Sequence, residues 1–225
     1  FETIVAAIFE GRGVLYKMRT VITYLLADSF DELLLVGGSI IAGLVLPISA
    51  LQILFVKFFA DIFPAMAFTF ETIDGKRVAH RAKRTTLFDR EIKMFTFGRG
   101  FVASSLLFVI YLILSRTNLD QATVRTFIFA SFATYILFLA FSMRRLDQSL
   151  WQYKMFSNTY LTLGVAIGFG TTMLAIYSPW LSRILGTTAL PLPWLLGVFA
   201  IGFVNLFIME GLKKIMRPRG NLATS

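Results

Sequence analysis

The chain has 225 residues, 56% hydrophobic and only 16% charged, with a net charge of +9, one histidine and no cysteine. Soluble domains sit nearer half apolar and a quarter charged, so this surplus of apolar side chains, 24 Phe among them, points to lipid as the solvent. The missing Cys excludes disulfide staples and Cys-ligated zinc or iron–sulfur centres, and His80 alone cannot build a His-rich metal site.

A helix needs ~20 mostly apolar residues to cross a hydrocarbon layer roughly 30 Å thick. Six stretches qualify, at about 20–46, 50–70, 93–114, 123–143, 158–178 and 193–213. The chain opens at Phe1 without an initiator Met, and "FETIVAAIFEGRGVLYKMRT" lacks the basic–apolar–small order of a signal peptide. A fragment or an internal start is therefore expected. A tight turn at Pro47 separates the first two stretches, and "SPWLSRILGTTALPLPW" separates the last two. Its prolines and Gly186 break helix, and Trp180 and Trp194 suit a membrane interface. No barrel-like alternation occurs, and spanning helices satisfy their own backbone, as lipid requires. The expected fold is all-α: a polytopic membrane protein built as a six-helix bundle.

The basic residues supply an orientation. Arg12, Lys17 and Arg19 precede the first span; Lys76, Arg77, Arg81, Lys83, Arg84, Arg90, Lys93 and Arg99 follow the second. Arg144, Arg145 and Lys154 follow the fourth, and Lys213, Lys214, Arg217 and Arg219 follow the sixth. Six alternating spans put all of these on one side, leaving Arg116, Arg125 and Arg183 opposite and Lys57 in mid-span. The positive-inside rule then places both termini in the cytosol. The charge reads as topology and as attraction to anionic lipid, with no nucleic-acid partner.

Five ionisable residues stand inside the first two spans: Asp28, Asp31, Glu32, Lys57 and Asp61. Each costs ~2.5–3.5 kcal/mol at a helix centre, roughly 10 kcal/mol or more in sum if unpaired. They are expected to face one another or a wet cavity. Asp28 and Glu32 are four apart, as are Lys57 and Asp61, so each pair shares a helix face. The short connection makes the two helices antiparallel neighbours, with Glu32 and Asp61 at similar depth. Pro64 lacks an N–H and leaves the carbonyl of Ala60 without its usual helical partner, which allows a kink. A freed carbonyl beside carboxylates is a hard-oxygen setting suited to a cation. Glu32 and Asp61 are the leading cation or proton ligands, with Asp28 and Asp31 secondary: Asp28 near a cytosolic water path, Asp31 shaping local solvation. A plain Lys57–Asp61 salt bridge is the bland alternative. Ser104, Ser105, Thr134, Tyr135, Thr171 and Thr172 read as helix-packing groups. Glu210, Lys213 and Lys214 mark the cytosolic end of the last helix.

Two stretches also carry a resemblance. "FETIVAAIFEGRGVLYKMRTVITYLLADSFDELLL" resembles the passage of cation-transporting P-type ATPases that leaves the phosphorylation domain and enters the fifth transmembrane helix. The matching residues are Phe1, Ile4, Val5, Ala7, Ile8, Glu10, Gly11, Arg12, Ile22, Tyr24, Leu25 and Leu26. "LPISALQILFVKFFADIFPAMAFTFE" resembles that family's sixth helix through Leu46, Pro47, Gln52, Ile53, Leu54, Asp61, Pro64, Ala65, Ala67 and Glu71. "LGTTALPLPWLL" resembles the connection before the tenth. The resemblance implies three regions. Residues 1–19 would be the end of the phosphorylation domain and its stalk, 20–214 helices five to ten, and 215–225 a basic cytosolic tail. The calcium-pump ligands on the fifth helix fall at Ser29 and Glu32, those on the sixth at Lys57, Ala60 and Asp61, and the eighth-helix acid at Ile136. Only Glu32 and Asp61 keep an acidic group. Lys57 could fill the place of one transported cation, which favours one monovalent ion or a proton over two Ca²⁺.

The resemblance also implies what a complete pump would add. The phosphorylated Asp-Lys-Thr-Gly motif is absent from this sequence, and hydrolysis needs groups that position phosphate and Mg²⁺. The chain alone should hydrolyse no ATP and hold no cofactor. ATP, Mg²⁺, the phosphorylation, nucleotide and actuator domains and the first four helices would belong to the remainder of a multi-pass, plasma-membrane pump. Phosphorylation would pull on the first helix through Phe1–Arg19. A stand-alone six-helix channel or secondary carrier, or a structural membrane subunit, are the competing readings.

Overall fold

The structure is a computed structural model that describes residues 2–71, 90–145 and 148–216. The basic segment with Lys76, Arg77, His80, Arg81, Lys83 and Arg84, and the tail from residue 217, lie outside the described residues. Everything described is helix or connection, without a strand. In chain order the elements are α1 (Glu2–Ile41), α2 (Ala50–Val56), a π turn (Lys57–Asp61), α3 (Ile62–Thr69), α4 (Arg90–Ser115) and α5 (Gln121–Met143). Two short 3₁₀ turns (Leu150–Gln152 and Met155–Ser157) lead to α6 (Thr159–Tyr177), α7 (Pro179–Leu185) and α8 (Leu192–Met216).

Local chemistry sets the helix ends. Ser49 caps α2 in a reciprocal box with Gln52, two residues after Pro47 has turned the chain. Gln52 also donates through Nε2 to the Leu185 carbonyl, tying α2 to the end of α7. Asp120 caps α5 and Asn158 caps α6 through their side-chain oxygens. Pro179 opens α7, and Gly186 closes it at φ +64°, a left-handed position that a glycine takes without strain.

Among the described residues, five helical stretches are long and apolar enough to cross a membrane: Ala50–Thr69, Thr96–Ser115, Gln121–Met143, Thr159–Tyr177 and Leu192–Lys214. The sixth expected span is the upper half of α1, which falls short of that composition because Asp28, Asp31 and Glu32 interrupt it. It ends at Ile41, a few residues before the expected limit, and Gly43 turns the chain at φ +67°. α5 is the central element, buried along nearly its whole length. α8 and α6 pack against it, α4 lies along α1, and α6 covers the π turn and α3. The aromatic surplus is spent on packing: Phe138 and Phe169, for instance, meet edge to face at 5.6 Å.

Where the helices emerge near residues 71, 144 and 157, a buried polar knot fastens three of them. Glu71, just past α3, accepts from Arg144 Nε and from Asn158 Nδ2 at 3.0 Å, and pairs with Arg145 at 3.1 Å. Asn158 Nδ2 also reaches the Ala67 carbonyl at 3.2 Å, satisfying an open end of α3. Arg144 spends its remaining donors on Ser157 and on the carbonyls of Lys154 and Met155. A second knot buries Lys213 on the carbonyls of Ser142 and Gln148 and on Glu210, which also accepts from Ser142 and the Leu150 N–H. The expected helix-end markers Glu210 and Lys213 are thus internal ties.

Burial by itself would raise Glu71, but the hydrogen bonds from Arg144, Asn158 and Arg145 outweigh it and hold the carboxyl below its usual 4.5. A depressed acid contributes stability that is complete above the unfolded value and is lost as pH falls through the native one. Glu71→Gln is expected to cost about 3 kcal/mol, because Arg144 would stay buried without its anion. It should also remove the acid-side loss of stability below pH 4.5. Unfolding of both forms in detergent micelles across pH 3–7 checks this.

Candidate functional site: a lysine among buried carboxylates

Lys57 opens the π turn, and Asp61 closes it. A π turn widens the backbone by one residue and is frequent at functional positions. The loosening expected beside Pro64 takes this form. Pro64 sits in the first turn of α3, where its missing N–H leaves a carbonyl one turn back open. The widened turn directs Lys57 and Asp61 towards α1.

There the ammonium of Lys57 meets three acids. Its Nζ contacts Asp28 Oδ2, lies 3.1 Å from Glu32 Oε1 and 3.4 Å from Asp61 Oδ2. Asp28 is fully buried and Asp61 is 1% exposed, whereas the Lys57 side chain keeps 28% exposure. Asp28 is therefore inside the cluster rather than beside a cytosolic water path. Tyr24, also fully buried, adds a long hydrogen bond of 3.4 Å from its hydroxyl to Asp61 Oδ1. Oxygens remain unsatisfied: Asp28 Oδ1, Glu32 Oε1 and Asp61 Oδ2 are buried and receive no well-directed hydrogen bond. Three carboxylates around one ammonium leave a formal surplus of two negative charges, in a setting where unpaired charge is expensive. A cavity of about 320 Å³ adjoins the cluster, bounded by Leu25, Lys57, Phe58, Asp61, Ile62, Ala65 and Met66.

The other expected residues are placed as follows. Asp31 is fully buried on the neighbouring flank of α1. It accepts from Ser104 Oγ of α4 and from the Tyr135 hydroxyl of α5, both at 2.7 Å. Ser104 and Tyr135, read from sequence as packing groups, are thus partners of a buried acid. Nothing in the spacing of Asp31, three from Asp28, separates it from the face that Asp28 and Glu32 share. Ser29 is exposed and donates to the Leu25 carbonyl of its own helix. Ala60 is buried within the π turn, and Ile136 is buried in α5. Thr171 and Thr172 donate to carbonyls of their own helix. Among the described residues, no three His, Cys, Asp or Glu stand in a metal-holding group. The acids gather on Lys57 instead.

A bundle of long apolar helices with charge hidden between two of them defines an integral, multi-pass membrane protein. The family model described as "Cation transporting ATPase, C-terminus" matches residues 45–215, and the chain belongs to that family. It is 31% identical over 217 residues to a calcium-transporting ATPase of Bacillus subtilis, covering 94% of this chain and 24% of that protein. It is 27% identical to the calcium-transporting ATPase type 2C member 2 of Rattus norvegicus, covering 96% and 23%. A third relative is calcium-transporting ATPase 1 of Schizosaccharomyces pombe, at 24% identity with 100% and 25% covered. The chain thus spans about a quarter of the length of the curated relatives it matches.

A double-mutant cycle tests the cluster itself. Asp28→Asn and Lys57→Met should each destabilise the fold, and together by less than their sum. The coupling expected for buried charges in contact is about 1–3 kcal/mol, read from unfolding in detergent.

Proposed function

We propose that this chain is the ion-conducting membrane portion of an ATP-driven cation pump. Asp28, Glu32 and Asp61 supply the carboxylates of its path, and Lys57 acts as a built-in counter-ion. The observation that carries this reading is the single ammonium held by acids from two helices, in a chain that belongs to a cation-pump family. Ammonium and transported cation would compete for the same oxygens. A resident positive charge lowers the number of cations needed to neutralise the acids, so the site is suited to fewer charges of cargo than two divalent ions carry. One monovalent ion or a proton fits it best, and the calcium-transporting relatives make Ca²⁺ the first ion to assay. Ser29 and Ala60, which occupy ligand positions by resemblance, would contribute little through their side chains.

ATP hydrolysis, with its Mg²⁺, would come from the phosphorylation, nucleotide and actuator domains of a larger protein, and the first four helices would complete the path. Residues 1–19 would carry the pull from phosphorylation into α1, against α3 held by the Glu71 knot. The distribution of the basic residues supports a cytosolic position for both termini, at a plasma membrane whose anionic lipid would attract them.

The test is Lys57→Asn in the full-length pump. Removing the ammonium is expected to raise the number of charges moved per ATP and to change the order of cation preference, measured by tracer uptake into vesicles. Unchanged stoichiometry together with unchanged selectivity would remove the counter-ion role.

A further inference from the structure

The π turn is held from behind by a helix that carries no charge at the site. α6 faces it with Gly164 and Gly168. A Cβ added at Gly164 would stand 3.1 Å from the carbonyl carbon of Phe63, and 3.2 Å from both its oxygen and its Cβ. One added at Gly168 would stand 3.3 Å from the Phe59 carbonyl oxygen and 2.5 Å from Leu137 Cδ2. Phe59 lies inside the π turn, and Phe63 directly precedes Pro64, so the two glycines touch backbone on either side of Asp61. Side chains can yield to a new methyl group, whereas helical backbone moves as a body. Gly170, on the same helix, has open space around it.

The front of the π turn has little slack. Asp61 is 1% exposed, its Oδ2 receives no hydrogen bond, and it stays 3.4 Å from the ammonium. A small displacement of this segment towards α1 would therefore change the distances from Lys57 to Asp28 and Glu32 and from Asp61 to Tyr24.

We infer that Gly164 and Gly168 are positioning residues for the Lys57 cluster. By admitting α6 against the backbone of Phe59 and Phe63, they set the depth and rotation at which the π turn meets Asp28 and Glu32. Glycine costs up to about 1 kcal/mol relative to alanine inside a helix. Close backbone approach is what these two positions gain from it, and Cα–H groups facing the Phe59 and Phe63 carbonyls are a weak but recurrent contact at such crossings. The transport consequence rests on the function proposed above; the geometric claim does not.

The experiment uses Gly164→Ala, Gly168→Ala and, as the control of equal helix propensity, Gly170→Ala. The sequence has no cysteine, so thiols introduced at Leu25 and Phe58, which border the same cavity, are the only ones available for nitroxide labels. Dipolar broadening between these labels in lipid vesicles reports the distance from α1 to the π turn. Gly164→Ala and Gly168→Ala should change it, and Gly170→Ala should leave it as in the parent. In the full-length pump the first two should also shift the half-activating concentration of the activating cation, H⁺ and Ca²⁺ being tested among others, by about tenfold, less than the roughly hundredfold that a ~1 Å misplacement can cost. Should Gly164→Ala fail to fold, the Gly168→Ala/Leu137→Ala pair carries the test, because it relieves the side-chain clash and keeps the contact with the Phe59 oxygen. An unchanged label distance in folded variants, or an equal change with Gly170→Ala, overturns the inference. A changed distance with an unchanged response to every activating cation, H⁺ and Ca²⁺ included, supports the seam and counts against the proposed transport site.

Discussion

The constraint that organises this bundle is electrostatic: carboxylates placed between apolar helices must find a positive partner close by. Water cannot serve them well here, and a lone buried charge costs several kcal/mol. Lys57 meets that need for Asp28, Glu32 and Asp61 at once. Its stem enters from the π turn, so the widened backbone and the ion cluster are one feature. A regular α-helix through residues 57–61 would rotate Asp61 by the angular share of one residue, about 100°, relative to everything before it. Asp31 shows that neutral donors also serve a buried carboxylate, with two hydroxyls from α4 and α5 donating to it.

These ties divide the molecule by how firmly each part is held. α3 ends in the Glu71 knot with Arg144 and Asn158, and α8 is tied to the end of α5 through Lys213. α6 is pressed against the interrupted helix from behind. α1 meets the site through ionic and hydroxyl contacts and is packed along α4 on its other side.

Much of this was legible in the residues. The apolar stretches gave the helices because lipid-compatible segments have few alternatives, and the spacing of Asp28 with Glu32 and of Lys57 with Asp61 gave the two facing pairs. The short Pro47 turn then forced them together. What escaped was whatever depends on rotation and on distant partners. Pro64 announced a disturbance, but nothing local says that a π turn would absorb it. Asp31 could be located on α1 but not aimed, since Ser104 and Tyr135 are 73 and 104 residues away. Ser29 matched a ligand position in sequence, yet its side chain is exposed and bonded to its own helix. The glycine seam was invisible for the same reason: Gly164, Gly168 and Gly170 look alike until the neighbours of each are known.

α1 is an unbroken helix from Glu2 to Ile41, and that continuity has a consequence for spacing. With 3.6 residues per turn, adding or removing one residue anywhere between its start and Asp28 would rotate whatever is attached at the N-terminal end by roughly 100° about the axis. The length of that stretch is therefore a phase as much as a distance. Changes of a whole heptad, close to two full turns, would lengthen the shaft yet keep its far end pointing nearly the same way.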